Sequence, residues 1–365
     1  MTGPLSGLKV VELAGIGPAP FCGMFLADLG ADVVRVDRRR SPGISPVPPR
    51  LDLLNRGKRS IALDLKEPAD LAVALDLAAR ADVLLEGYRP GVAERLGIGP
   101  DACLARQPRL VYGRMTGWGQ DGPRAQTAGH DITYLAVSGV LHGIGRADGP
   151  PQIPVNLLGD FAGGAMYLAA GVLAALWGGG GQVVDAAIVD GAAHLSTMLW
   201  GFMAGGAWRD RRGMNLLDSG APFYDVYATA DGRHMAVGPL EPQFFAEFMT
   251  RLGLPAEPSY LDPAGWPVLR SALSTAFGTR TQAEWAEVFA GSDACVEPVL
   301  PMRSAARDEH LASRGTYVEH DGVLQPAPAP RFSGTPAALS RPPAEPDEHR
   351  AEILHDWLGI TPPKS

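Results

Sequence analysis

The sequence predicts a two-domain α/β chain, with a larger domain on a mostly parallel sheet and a smaller α+β domain after it. Three observations predict this. Short β-branched runs alternate with helix-like segments through the first half of the chain. Glycine and proline, 45 and 33 of the 365 residues, are abundant without any three-residue period, the mark of many tight connections. A length of 365 residues exceeds one ordinary domain and falls short of three.

The elements follow in order. Lys9–Leu13 (KVVEL) is the first strand, followed by the turn-rich AGIGPAP and the helix-like FCGMFLADLG. Ala31–Asp37 is the second strand, and Arg59–Asp64, Asp82–Glu86 and Leu110–Met115 continue the series around a helix over Asp70–Arg80. An apolar helix over 161–177 and a strand at Gln182–Asp185 carry this unit to about residue 190. Ile188–Ala207 reads as one helix, broken by the charge and glycine of Arg209–Asp218. Hairpin strands Phe223–Ala228 and His234–Gly238, joined around Asp231-Gly232, open the second unit. Helices at Pro242–Leu252 and Gln282–Ala290 follow, then a Pro-rich linker at Leu324–Arg331 and a last helix at Ala351–Leu358. The expected boundaries are a large domain at 1–190, a linker at 191–218 and a small domain at 219–308. A second linker at 309–330 precedes a segment, 331–365, that returns to the large domain.

Charge and cysteine usage exclude several classes. A net charge of −8 with no polybasic run argues against a nucleic-acid or anionic-membrane partner. The most lipophilic stretch, Ala165–Trp177, falls short of the roughly 20 apolar residues a membrane span needs, so a buried helix is expected. Cys22, Cys103 and Cys295 form no C-x-x-C pair, which fits a reducing cytoplasm. The N-terminus shows no cationic region ahead of a long apolar run, and no signal peptide is expected.

Strand, glycine turn, helix and a second strand ending in Asp37 is the layout of a nicotinamide site. The G-x-G-x-x-G fingerprint fails, because the residues are Gly15-Ile16-Gly17-Pro18-Ala19-Pro20. Two prolines remove backbone donors where a pyrophosphate would be cradled. A Rossmann-like fold survives this test; hydride transfer does not.

Several ordered blocks resemble the family III coenzyme A transferases, and within them the α-methylacyl-CoA racemase branch. They are LSGLKVVELAGIGPAPFCGMFLADLGADVVRVDR at the start, DVLLEGYRPGVAERLGIG at 82–99, RMTGWGQDGP at 114–123 and AGHDITYLAVSGVLHGIG at 128–145. NLLGDFAGG at 156–164, GQVVDAAIVDG at 181–191, the block at 220–245 and SDACVEPVL at 292–300 complete them. The resemblance runs from about residue 5 to about 335. It implies an interlocked homodimer and a reaction on a 2-methyl-branched acyl-CoA, with coenzyme A carried as part of the substrate and no metal or separate cofactor. The transferases use an aspartate covalently, matched here by Asp160. The racemases keep it and add the histidine of an A-G-H-D block, matched by Ala128-Gly129-His130-Asp131. A transferase with Asp160 as nucleophile is the alternative enzyme, and a silent acyl-CoA binder the alternative outside catalysis. The departure from the family pattern is the proline-rich loop Arg39–Arg50.

Racemising a 2-methylacyl thioester requires two acid/base groups on opposite faces of the α-carbon and donors for the enolate oxygen. The resemblance assigns the bases to His130 and Asp160, with Glu241 supporting the histidine. Asp160 could equally cap the apolar helix, whose first amides are then candidate oxyanion donors. Glu241, just before Pro242, could equally be a helix-start acid. The phosphates of coenzyme A call for cationic and backbone donors. The blocks that resemble the family's contacts contain Arg38, Leu63, Asp64, Leu65, Lys66, Gly87, Tyr88, Arg89 and Arg95. Gly129, Asp131 and Tyr134 join them on the thioester side, Asp131 chiefly as a structural residue. Met115, Met166, Met198, Met203 and Met214 are core by default, or else a yielding wall for the acyl chain.

Overall fold

A computed structural model describes residues 3–39, 46–256 and 259–361. They fall into two compact units. The first takes the described residues up to Ser138, then Val155–Leu195, then those from Ala312 onward. The second takes Gly139–Pro154 and Ser196–Leu311.

In the first unit six parallel strands lie in the order β3-β2-β1-β4-β5-β6. They are β1 (Lys9–Leu13), β2 (Asp32–Arg38), β3 (Arg59–Leu63), β4 (Val83–Glu86), β5 (Val111–Thr116) and β6 (Gln182–Ala187). Helices α1 (Pro18–Asp28), α2 (Pro68–Ala78), α3 (Val92–Arg95), α4 (Pro100–Leu104) and α5 (Asp131–Val137) stand between them. Val10, Val33, Val83 and Leu85 pack into one core, while Val11, Val34, Val36 and Leu84 pack into another. A sheet buried on both faces in this way explains the nearly continuous apolar runs. The strand order reverses between β1 and β4, and that crevice is where ligands bind in open α/β sheets.

Pro18 and Pro20 are intelligible here. They open α1 behind Gly17, whose φ of 68° suits glycine. Beneath α1, the Lys58 Nζ lies 2.6 Å from the Glu12 carboxylate and donates to the Pro20 carbonyl at 2.9 Å, all out of water. A Cβ on Gly23 would sit 1.9 Å from Glu12 Oε2, so α1 lies over this ion pair only because residue 23 is glycine.

After α5 the chain enters the π-helix Leu157–Ala165, which continues as α6 (Met166–Trp177). The expectation of a short lipophilic segment is corrected. Leu157–Trp177 is 21 helical residues, enough by length and composition to cross a membrane. Within the fold, Leu168, Ala169 and Val172 of α6 are buried in the core. The expected single helix over Ile188–Ala207 is two, α7 (Ile188–Leu195) and α8 (Thr197–Ala204).

The second unit is built on an antiparallel sheet of β7 (Asp225–Ala228), β8 (His234–Val237) and β9 (Val296–Pro298). Helices α9 (Pro242–Leu252), α10 (Trp266–Phe277) and α11 (Gln282–Phe289) cover an aromatic core that includes Phe223, Phe248, Phe277 and Trp285. Short helices α12 (Met302–Ala305) and α13 (Glu309–Ser313) follow.

The second expected linker is partly structured, since it holds the hairpin β10 (Tyr317–His320) and β11 (Val323–Pro326). The hairpin belongs to the first unit, where the Arg56 guanidinium ties it to α1, pairing with Asp28 at 2.6 Å and donating to the Gln325 side chain and the Pro326 carbonyl. The segment Pro343–Leu358 then lies along β3. His349 N donates to Ser60 O, Ala62 N donates to Asp347, and Trp357 of α14 (Arg350–Leu358) is buried with its indole donating to Asp32. The free edge of β3 is covered, as an edge strand requires. Residues 139–154, expected in the large domain, group with the second unit, and 191–218, expected as linker, contain α8 and most of α7.

Candidate active site

A cavity of about 300 Å³ opens at the C-terminal ends of the sheet in the first unit. The turn after β1 contributes Ile16–Ala19, the loop after β4 contributes Gly87–Pro90, and Met115–Trp118 follow from β5. Ala125, Thr127–His130, Tyr134, Asp160 and Ile188 complete the wall. The fold therefore places residues of six matched blocks around one space. Among the five methionines singled out, Met115 lines it.

His130 stands immediately before α5, with its backbone extended and its N–H held by Thr133 Oγ1 at 3.0 Å. The imidazole is exposed on the cavity side of the helix start. Asp160 reaches the same cavity from the π-helix. The expected helix cap is corrected: Asp160 is the fourth residue of a helical segment that begins at Leu157. Its amide donates to Asp131 Oδ2 at 2.7 Å and so is not free for an oxyanion. Glycines at 159, 163 and 164 allow this tight segment. A Cβ on Gly163 would meet the α7 backbone at 2.9 Å, and Phe161 stacks on Phe21 of α1 at 4.6 Å. Such local widening of a helix recurs at functional sites.

The Asp160 carboxyl is pushed up to about 6, first by burial and second by the Asp131 charge. The Asn156 amide, 3.4 Å away, and His130 act in the opposite sense. A carboxyl held near 6 can both accept and donate a proton close to neutral pH. Tyr134 is clamped between Gly117 and Gly129, where any Cβ would strike its ring, and packs edge-on against Trp118 at 4.8 Å. Burial and the neighbouring Asp160 raise its phenol above the usual range.

A second cavity of about 390 Å³ lies beyond the ends of β2 and β3, lined by Arg38, Arg39, Leu63–Lys66, Val92 and Tyr88. Tyr88 lines both spaces. Its ring carries the Arg38 guanidinium at 5.7 Å, a cation–π contact. Its amide donates at 2.6 Å to Glu86, which is itself held by Arg114 at 2.9 Å. This buried pair fixes the loop that carries Gly87, Tyr88 and Arg89.

Most of the expected residues thus come together in two groups. Gly87, Tyr88, Arg89, Gly129, His130, Tyr134 and Asp160 line the first cavity, and Arg38, Leu63, Asp64, Leu65, Lys66 and Tyr88 line the second. Arg95 lines neither and is exposed on α3. Asp131 is corrected as a ligand contact of the cavity wall: its side chain is buried and turned to the Asp160 amide. Glu241 is exposed before α9 in the second unit. Residues 40–45 of the proline-rich loop lie outside the described residues. Sequence reasoning missed Asn156, although its spacing of four from Asp160 is the helical spacing for paired side chains.

Relatives and neighbours point one way. The chain is 46% identical to the mouse alpha-methylacyl-CoA racemase over 362 residues, covering 97% of this chain and 93% of that one. The human alpha-methylacyl-CoA racemase matches at 46% over 364 residues with the same coverage. A solved CAIB/BAIF family protein from Brucella suis superimposes with a TM-score of 0.82 at 26% identity, covering 98% of this chain and all of that one. The model of CoA-transferase family III matches residues 5–350, and with the cavity, the strand order and these relatives in agreement, the chain belongs to that family.

Proposed function

We propose that this chain is an α-methylacyl-CoA racemase, interconverting (2R)- and (2S)-2-methylacyl-CoA thioesters. The observation that carries the reading is the presence of His130 and an Asp160 carboxyl held near 6 on the wall of one cavity. The 46% identity to the two mammalian racemases supports the same assignment. In this reading the coenzyme A phosphates rest over Arg38 and Lys66, and the thioester enters the first cavity past Tyr88 and Arg89.

One base removes the α-proton, and the C–H electron pair moves onto the thioester oxygen to give an enolate. The pair then returns to the α-carbon as the other base delivers a proton to the opposite face. Atoms and charge balance without an acceptor acid. In either direction one base must be free and the other protonated, so both directions share one pH profile. The rate falls at low pH, where Asp160 and His130 are both protonated, and at high pH, where neither holds a proton.

The proposal extends to a cytoplasmic homodimer acting on a 2-methyl-branched acyl-CoA, with Glu241 supporting the histidine base. It includes no metal, separate cofactor, membrane or nucleic acid, on the grounds of charge, cysteine usage and family resemblance. Incubation with a 2-methylacyl-CoA in deuterated water tests it. Exchange of the α-hydrogen without any acceptor acid supports the racemase, and thioester transfer that requires an acceptor replaces it with a transferase.

A further inference from the structure

Asp131 is the least comfortable charge near the site. It is buried, it forms no ion pair among the described residues, and its Oδ1 has no hydrogen-bond partner among them. An unpaired buried carboxylate is costly. Its other oxygen accepts the Asp160 amide at 2.7 Å. That amide lies in the first turn of the π-helix, where no earlier carbonyl is available to it. The approach is close: a Cβ on Gly159 would lie 2.3 Å from Asp131 Oδ2, so only glycine permits it. Asp131 also directly follows His130, so one residue is bonded in sequence to the first base and through a hydrogen bond to the second.

We propose that Asp131 is a positioning residue, whose carboxylate holds the Asp160 backbone in place and sets the spacing of the two bases. The inference rests on the racemase reading for its catalytic meaning, but its geometry stands without it. A neutral acceptor would satisfy the amide equally well; what the carboxylate adds is negative charge beside Asp160. That charge favours the protonated form of Asp160 and reinforces the effect of burial. Of the charged or titratable groups on or beside elements packed against the π-helix, His130 before α5 and Asp131 of α5 act on the Asp160 carboxyl, and Tyr134 of α5 responds to it. Asp28 of α1, Arg114 of β5, Asp185 of β6, and Asp190 and His194 of α7 are not among the groups that shift it.

The test uses full-length protein labelled with 13C at the aspartate carboxyls, with the Asp160 resonance assigned by its loss in Asp160→Asn. Wild type, Asp131→Asn and Asp131→Ala are titrated without substrate. In Asp131→Asn the Asp160 midpoint falls by about half a pH unit or more, because removing a like charge eases ionisation. The kcat profile moves to lower pH with it, while KM for the CoA thioester changes less than about twofold. Asp131→Ala, which also loses the acceptor, lowers kcat by about tenfold or more with KM again little changed. An unmoved midpoint in Asp131→Asn overturns the proposal, as does a loss confined to thermal stability or KM. If Asp131→Asn does not fold, Asp131→Ser, a smaller neutral acceptor, is read in the same way. Wild-type protein that exchanges no α-hydrogen removes the racemase reading, and the titration then still decides the placing of Asp160.

Discussion

At the scale of single residues, Asp160 trades stability for proton affinity. Below about pH 4 it is protonated in the folded and unfolded chain alike, and its burial costs nothing. As pH rises from there to about 6, the unfolded chain ionises first, so this group lowers stability, and above about 6 the full cost remains. Asp160→Asn is therefore expected to stabilise the protein at pH 7 by ~1 kcal/mol, allowing for partial exposure. Unfolding measured across pH checks this; a gain that persists unchanged below pH 4 would contradict it. Arg38→Ala and Arg89→Ala, on the walls of the two cavities, should each raise KM by about tenfold with kcat little changed. Arg95→Ala, which lines neither cavity, should leave KM near wild type. His130 and Asp160 were singled out from short blocks in which residue type and chemistry agree, and both reach one cavity. Asp131 was expected to be chiefly structural, but its partner was not legible, because the contact lies 29 residues along the chain.

At the scale of elements, the π-helix decides the geometry. It packs against α7 through glycines on both sides: a Cβ on Gly191 would sit 1.8 Å from the Gly163 carbonyl oxygen. No flexible side-chain end is available there to yield. Gly191→Ala should therefore cost about 3 kcal/mol or more and reduce activity with it, because the backbone carrying Asp160 must shift. A denaturation midpoint near wild type would contradict that packing. The sequence could not distinguish this segment from an α-helix, since a glycine-rich apolar run looks alike in both and the widening answers tertiary contacts. The parallel strands were legible almost to the residue, because burial on both faces leaves a β-branched run with no other use. The helix α10 was hidden by Pro263 and Pro267, which read as breakers yet lie at or before its first turn. The hairpin β10–β11 carries its own signal in Asp321-Gly322, both with positive φ, masked by the prolines that follow.

At the scale of the whole molecule, the fold is one chain that leaves its first unit and comes back to it. Ala62 of β3 and Asp32 of β2 receive the returning segment through Asp347 and Trp357, and Arg56 holds the hairpin that precedes it. No local pattern in the sequence announces which edge it covers, although its return to the large domain was expected. His130 and Asp160 lie in the first unit, and Glu241, proposed to support the histidine, lies in the second. If the active form is a dimer whose sites draw on both chains, co-expressed Asp160→Ala and Glu241→Ala subunits should recover part of the activity that either homodimer lacks. Verified mixed dimers without activity would argue that each site is built from a single chain.

The central claim is that two bases serve opposite faces of one carbon, and stereospecific exchange tests it most directly. Each enantiomer of a 2-methylacyl-CoA is incubated in deuterated water with His130→Ala or Asp160→Ala. Both variants should lose racemisation, since every turnover needs both faces. The surviving base can still remove a proton from its own face and return deuterium there. The account predicts slow exchange with opposite enantiomer preferences in the two variants, about 10²–10⁴-fold below wild type yet above the uncatalysed background. The same preference in both variants would contradict it.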